Sequence, residues 1–306
     1  MKILFIDKVH SFLRRKLEEK NYTCDTAYNK TKTEVEKIIH NYNGIIIRSR
    51  FIIDQEFINK AVKLKFIARA GSGMESIDTQ YAISKKIKCY NAPEGNRQAV
   101  AEHAIGMILS LINNIHISNS EIKKGIWERE KNRGTELANK TIGIIGYGNN
   151  GSALANMLKM FNVKILIYDK YIDNYNDINN LKNIYENADI LSLHIPLNQE
   201  TYHIINQETI NQFKKPFYVI NTSRGGCINT KDLVLAMKEK KIKGACLDVI
   251  EYEKSSFNKL DIIKNNNDMK YLIKSKNTIL TSHIAGLTKE SNIKIAENLF
   301  RKIMLN

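Results

Sequence analysis

The sequence predicts an α/β protein made of two doubly wound parallel-sheet domains. Three observations lead there. Short apolar runs alternate with amphipathic stretches along the whole chain. Residues 140–151 read as a strand entering a glycine turn that opens a helix, the first of six candidate strands, most of them ending in a polar or charged residue. At 306 residues the chain also exceeds the usual single domain, so two domains are the natural division.

The elements follow in order. Residues 2–6 form a first strand that Asp7 cuts short, too early for the apolar core of a signal peptide. Candidate strands at 44–49 and 65–70 come next, with amphipathic stretches at 11–20, 31–40 and 54–63 between them. Residues 99–117 are apolar along most of their length and predict one long buried helix leading out of this first unit.

The second unit opens on its most informative stretch. Ile142, Ile144 and Ile145 make a buried strand, and Gly146, Gly148 and Gly151 supply G-x-G-x-x-G with Tyr147, Asn149 and Asn150 between them. Leu154, Met157, Leu158 and Phe161 then repeat at i, i+3, i+4 and i+7, which is one apolar helical face. The glycines serve a tight turn, close approach of backbone to a pyrophosphate, and close helix–strand packing. The first helical N–H groups and the helix dipole point at the phosphates. A strand at 163–168 leads into Asp169, close to the ~20-residue interval that places an acid on the ribose hydroxyls. Such an acid repels a 2′-phosphate, so the expected cofactor is NAD. Strands at 190–194, 218–222, 244–248 and 278–282 complete a Rossmann sheet, whose ligands bind beyond the carboxyl ends of the strands. Residues 290–305 form a last amphipathic helix that returns to the first unit.

Composition narrows the function. No apolar run approaches the ~18 residues of a membrane span, so no membrane partner is expected. Cys24, Cys89, Cys227 and Cys246 are scattered without a C-x-x-C pair, which predicts neither disulfides nor a metal site and places the chain in a reducing cytoplasm. The net charge of +15 raises nucleic acid as a partner. The lysines, however, are spread along the chain, so no nucleic-acid partner is expected; a positive field suits an anionic cofactor and substrate instead.

A dinucleotide carries the hydride, and the protein must handle a proton and an anion. Histidine is the proton carrier suited to neutral pH. Arginine grips a carboxylate through two parallel donors, and a carboxylate beside the histidine fixes its tautomer. Residues 221–226, 247–253 and 281–286 supply these types in order, with Glu251 and Glu253 competing for the place beside the histidine.

Taken together, these motifs resemble the D-isomer-specific 2-hydroxyacid dehydrogenases, and within that family the branch that oxidises 3-phosphoglycerate. The likeness covers nearly the entire chain. It implies a Rossmann NAD domain at 96–286 inserted into a flavodoxin-like substrate domain at 1–95 plus 287–306. It further implies that Arg224 binds substrate, that His283 is the catalytic histidine and that Glu253 pairs with it, Glu251 standing two places early for the pattern. The implied cofactor residues are Gly146, Tyr147, Gly148, Asn149, Asn150, Gly151, Asp169, His194, Pro196, Thr222, Ser223, Asp248, Ala285 and Gly286. By the same resemblance Gly71, Ser72 and Gly73 hold the substrate carboxylate, Arg48, Ser49 and Arg50 face its phosphate, and Asn96 lies in a crossing between domains. Trp127 is implied to dock into a neighbouring subunit and Arg129 to approach that subunit's substrate, so a homodimer or higher oligomer is expected.

The chain departs from the family in places. Ser282 and Lys254 replace usual prolines, and 254–277 form a longer, more polar connection; the end at Asn306 implies a form without a C-terminal regulatory domain. The implied reaction is NAD-linked oxidation of 3-phospho-D-glycerate to 3-phosphooxypyruvate, the entry to serine. A glyoxylate or hydroxypyruvate reductase is the nearest alternative, and a non-catalytic NAD sensor resembling a corepressor is the alternative of another class.

Overall fold

The computed structural model of the chain describes residues 1–172, 180–253 and 266–305. Its contacts divide it into two units, one holding Met1–Arg97 and Gly286–Asn306, the other Gln98–Lys254 and Asn258–Ala285.

The first unit runs β1 (Lys2–Phe5), α1 (Ser11–Glu18), β2 (Thr23–Thr26), α2 (Lys32–Glu36), β3 (Gly44–Ile47), α3 (Gln55–Lys60), β4 (Phe66–Arg69), α4 (Thr79–Ser84) and β5 (Lys88–Tyr90). The strands are all parallel in the order β2-β1-β3-β4-β5. Strand β3 is buried at every position, as an uninterrupted apolar run between two helical layers should be. Period-two alternation splits the strands between two cores. Leu4, Ile6, Ile45, Ile47 and Ile67 face one side, while Ile3, Phe5, Ile46, Phe66 and Ala68 face the other.

The second unit runs α5 (Arg97–Ile112), α6 (Ile115–Ile122), β6 (Thr141–Ile145), α7 (Asn149–Leu158), β7 (Lys164–Tyr168), α8 (Leu181–Asn187), β8 (Ile190–Leu193), α9 (Gln207–Gln212), β9 (Phe217–Asn221), α10 (Thr230–Lys238), β10 (Ile242–Leu247), α11 (Asn267–Lys274) and β11 (Thr278–Leu280). Its sheet is parallel with the order β11-β10-β9-β8-β6-β7. Chain order reverses between β6 and β8, and this switch point is where a doubly wound sheet opens a crevice for a ligand. Helix α12 (Lys289–Met304) belongs to the first unit, where Ala296, Leu299 and Ile303 join the core of α1 and β1. Each sheet is thus parallel and carries helices, the two-domain α/β architecture expected from the sequence.

All nine expected strands are present to within about two residues. Two edge strands of the first unit, β2 and β5, had no matching expectation, because polar Thr-Cys-Asp-Thr and Lys-Cys-Tyr carry little apolar signal. The single helix expected over 99–117 is instead the pair α5 and α6, bent by 64°. Asn114 adopts φ +55°, a left-handed conformation that asparagine tolerates, and its amide donates to Arg133 O. Gly134 packs so tightly on Asn113 that a Cβ there would lie 2.8 Å from its Cα. Among the described residues no single helix is long and apolar enough to cross a membrane.

Candidate active site

The glycine turn after β6 is shaped by contacts that exclude side chains. Gly146 has φ +93°, and a Cβ on it would sit 2.4 Å from His194 O. A Cβ on Gly151 would sit 1.9 Å from Gly146 O, so the start of α7 lies directly on the turn. Gly148, by contrast, faces open space, with nothing within 4 Å of such a Cβ, and it caps α7 without a side-chain hydrogen bond. The first N–H groups of α7 therefore sit behind bare, approachable backbone. Tyr147 is buried in the core; Asn149 and Asn150 are half-buried.

Asp169 follows β7 and is held by two backbone donors, Tyr147 N at 2.7 Å and Tyr171 N at 2.9 Å. Each carboxylate oxygen keeps further lone-pair capacity for a ribose hydroxyl. Neighbouring Lys170 is paired with Glu200, which raises the lysine above its ordinary range.

Four buried side-chain atoms have no partner among the described residues; Gln207 Oε1 lies at the start of α9, and the other three stand at neighbouring strand ends: Asn150 Oδ1 past β6, His194 Nδ1 past β8 and Thr222 Oγ1 past β9. Orphaned buried polar atoms are rare in native folds. Together with the bare Gly148 backbone the three at strand ends fit a dinucleotide laid across the switch point. Burial lowers His194 to about 4, so its imidazole is neutral, and its Nε2 is 2.8 Å from Ser192 Oγ. Pro196 is exposed, and its carbonyl accepts from Thr201 Oγ1.

The loop after β9 is organised by Asn221, a fully buried residue. Its Oδ1 accepts from Ser223 N at 3.0 Å and Ser223 Oγ at 2.8 Å, and its Nδ2 donates to Arg224 O at 2.9 Å. Arg224 is half-buried, and its Nη1 donates to Ser223 O. Gly225 lets this loop close on the turn after β10, where a Cβ would lie 1.9 Å from Ile250 O.

That turn, together with the end of β10, carries three carboxylates with different tasks. Glu253 Oε2 lies 2.8 Å from His283 Nδ1, and Glu253 Oε1 accepts from Ile250 N at 2.8 Å. Glu251 is engaged elsewhere, 2.7 Å from His203 Nε2 and accepting from Thr230 N. The competition between the two glutamates is therefore resolved in space: the carboxylate against His283 is Glu253. A carboxylate only accepts, so Nδ1 carries the proton and Nε2 is the nitrogen able to take one.

Asp248, 1% exposed, spends both oxygens inside the protein. Oδ1 accepts from Thr281 Oγ1 at 2.6 Å and Ile284 N at 2.8 Å, and Oδ2 accepts from Ala285 N at 2.9 Å. His283 itself has φ +55°, and its N–H donates to Asp248 O. A non-glycine residue in this region is strained and persists only where its surroundings dictate it. Asp248 is the residue that dictates it. His103, on α5, completes the network 3.0 Å from Thr281 Oγ1.

In the first unit Arg48 is exposed at the end of β3, and its N–H and that of Ser49 donate to Asp7 Oδ2. Arg50 turns inward, giving Nη1 to the carbonyls of Ile6 and Ala27 at 2.8 Å each. Arg69, absent from the sequence reading, donates Nε to Arg48 O and folds its guanidinium over Gly71. Ser72 Oγ donates to Asn96 Oδ1 at 2.8 Å, Gly73 is half-buried beside it in sequence, and Gly286 packs against Asn96 Nδ2. Arg129 is exposed on the segment after α6. Asn221 and Thr281 stand in the motif segments 221–226 and 281–286 without a role of their own in sequence, Arg69 lies just before the 71–73 loop, and His103 reads in sequence as an ordinary residue of the apolar 99–117 stretch. Among the described residues no three His, Cys, Asp or Glu side chains gather to hold a metal ion.

Residues 105–285 match the family model described as D-isomer specific 2-hydroxyacid dehydrogenase, NAD binding domain. The chain is 37% identical over 275 residues to a D-3-phosphoglycerate dehydrogenase of Methanocaldococcus jannaschii, covering 87% of this chain and 52% of that protein. It is 34% identical over 288 residues to a hydroxypyruvate reductase of Thermotoga maritima, covering 91% and 89% of the two chains. The solved structure of an acyclic imino acid reductase in complex with NADPH and D-Arg is 27% identical, with a TM-score of 0.87 over 99% of this chain and 96% of that one. The chain spans about half the length of the D-3-phosphoglycerate dehydrogenases it matches. A glycine turn, a histidine–carboxylate pair and an arginine loop on one parallel sheet agree with these matches: the chain belongs to the D-isomer specific 2-hydroxyacid dehydrogenase family.

Proposed function

We propose that the chain is a cytoplasmic NAD-dependent dehydrogenase of D-2-hydroxy acids that oxidises 3-phospho-D-glycerate to 3-phosphooxypyruvate, the first step of serine synthesis. The observation that carries this reading is the His283 Nδ1–Glu253 Oε2 contact of 2.8 Å, on the sheet whose β6 ends in the dinucleotide turn. Bound NAD would supply the hydride acceptor. His283 Nε2 takes the proton of the C2 hydroxyl, Glu253 stabilises the imidazolium so formed, and Arg224 grips the carboxylate and the developing carbonyl oxygen. Gly71, Ser72, Gly73 and Arg48 serve substrate binding from the first unit. The presence of Arg224 on the same sheet as the Glu253–His283 pair argues against a purely sensing, corepressor-like role.

Loss of the charge tests the pair. Glu253→Gln removes the carboxylate that fixes the Nδ1 proton and stabilises the imidazolium formed during the step, so turnover falls by about tenfold or more. Unchanged turnover in a folded variant would remove Glu253 from this role.

Phosphate recognition is the finer part of the proposal, and Arg50 favours a second reading. Its Nη1 is spent on two backbone carbonyls, which leaves Arg48 as the more exposed cation on that strand end. A phosphate site thinned in this way also suits a hydroxypyruvate or glyoxylate reductase. Losing a charge-assisted contact costs about 1.5–3 kcal/mol. Arg48→Ala should therefore raise the KM of the phosphorylated substrate by roughly 10–100-fold and leave hydroxypyruvate unaffected. Arg50→Ala should lower stability by about 1–3 kcal/mol, because two carbonyls lose their donor, and penalise both substrates alike. Equal losses on both substrates with Arg48→Ala would move the reductase reading ahead.

Self-association belongs to the same proposal. Ile122, Ile126 and Trp127 are 49%, 42% and 76% exposed, a cost that burial against a second copy would offset. A monomer in light scattering at micromolar concentration would remove this part.

A further inference from the structure

Lys170 is a difficulty for an NAD site. Its ammonium, next in sequence to Asp169, is the kind of group that attracts the 2′-phosphate of NADP. The structure occupies that cation. Lys170 Nζ donates to both oxygens of Glu200, at 2.7 and 2.6 Å. Glu200 stands on a braced turn: its N–H and that of Thr201 donate to Asn198 Oδ1 at 3.0 Å, and Thr201 Oγ1 donates to Pro196 O at 2.7 Å. The turn lies in the loop after β8, and Lys170 follows β7. These two strands flank β6 on either side, so the ion pair joins the two loops that border the glycine turn.

We propose that Glu200 is a specificity-determining residue, which engages Lys170 and thereby withholds it from a 2′-phosphate, keeping the site selective for NAD. This rests on the NAD-dependent reading given above. Two arguments support it. The first is local charge: Asp169, Lys170 and Glu200 sum to one negative charge, which repels a phosphate dianion. With Glu200 neutral they sum to zero and Lys170 becomes a donor to it. The second is energetic. The pair is 53% and 60% exposed, and exposed ion pairs add little to stability. Stability therefore does not account for a bidentate contact braced in this way, and its removal leaves the fold intact.

The test is fluorescence titration of the full chain with NADH and with NADPH. Glu200→Gln should tighten NADPH about tenfold, the scale of one gained charge-assisted contact, and leave NADH within about twofold. Adding Lys170→Met to Glu200→Gln should erase the gain. An unchanged NADPH-to-NADH ratio in Glu200→Gln would overturn the proposal. Equal weakening of both cofactors would overturn it too, because Glu200 would then act only by shaping its loop. A wild-type chain that binds NADPH as tightly as NADH would overturn the cofactor assignment itself, and with it the role of Glu200.

Discussion

Replacing His283 by alanine should lower turnover by about 10²–10⁴-fold, the range of a lost proton-transfer group, while NADH binding is retained. The imidazole is placed for this by three separate devices. Glu253 Oε2 fixes the Nδ1 proton from 2.8 Å. The His283 N–H donates to Asp248 O, and the backbone beyond it is tied to the Asp248 carboxylate. An alanine inherits the strained φ of +55° but loses the proton carrier, so the defect should fall on kcat more than on stability. Arg224→Ala should fall in the same range, with a larger share in KM because the guanidinium binds the carboxylate in the ground state as well. Steady-state kinetics with a 2-oxo acid, read beside an NADH titration, check both. A His283→Ala enzyme within tenfold of wild type would exclude it as the proton carrier.

Asp248→Ala should be the most destabilising single change at this site. It leaves Ile284 N and Ala285 N without their acceptor, and Thr281 Oγ1 with only His103 Nε2, around a side chain that is 1% exposed. Each buried donor left unsatisfied costs about 1–3 kcal/mol, so two of them should cost about 2–6 kcal/mol. For a unit of this size the lower end of that range already lowers the Tm by roughly 4–8 °C. Activity should fall beyond what the lost stability explains, since the left-handed backbone of His283 keeps its N–H bond to Asp248 O but loses the carboxylate ties just beyond it at Ile284 and Ala285. Asp248→Asn keeps the shape but turns one acceptor into a donor, so one N–H still meets the wrong partner. Calorimetry and kcat measured well below the Tm separate the two effects. A stable Asp248→Ala with normal kcat would show that the histidine's conformation does not depend on this carboxylate.

What was legible in the sequence was whatever depends on short-range pattern. Uninterrupted apolar runs such as Ile45-Ile46-Ile47 announce buried parallel strands, and the glycines at 146 and 151 announce a turn that no other residue could occupy. The residues at strand ends follow from the same pattern, because strand order alone delivers Asp169, Arg224 and His283 to one edge of the second sheet. What was not legible depends on where a side chain turns. Glu251 and Glu253 share a turn and residue type does not separate them; the family resemblance alone favours Glu253, and the fold sends Glu251 to His203 and Thr230 and Glu253 to His283. The resemblance places Arg50 at the substrate phosphate, and sequence gives no sign that its Nη1 also meets the carbonyls of Ile6 and Ala27, which are distant in the chain. The break between α5 and α6 had a signal in Asn113-Asn114, but the apolar residues on both sides outweighed it.

The central claim is that His283, Glu253 and Arg224 make this chain a dehydrogenase of 2-hydroxy acids rather than a dinucleotide-binding scaffold. NADH oxidation at neutral pH, followed with 3-phosphooxypyruvate, hydroxypyruvate and glyoxylate in parallel, tests it most directly. The expected result is turnover of 2-oxo acids with the highest kcat/KM on 3-phosphooxypyruvate, lowered about 10²–10⁴-fold in His283→Ala. A wild-type chain that binds NADH and reduces none of the three would contradict it.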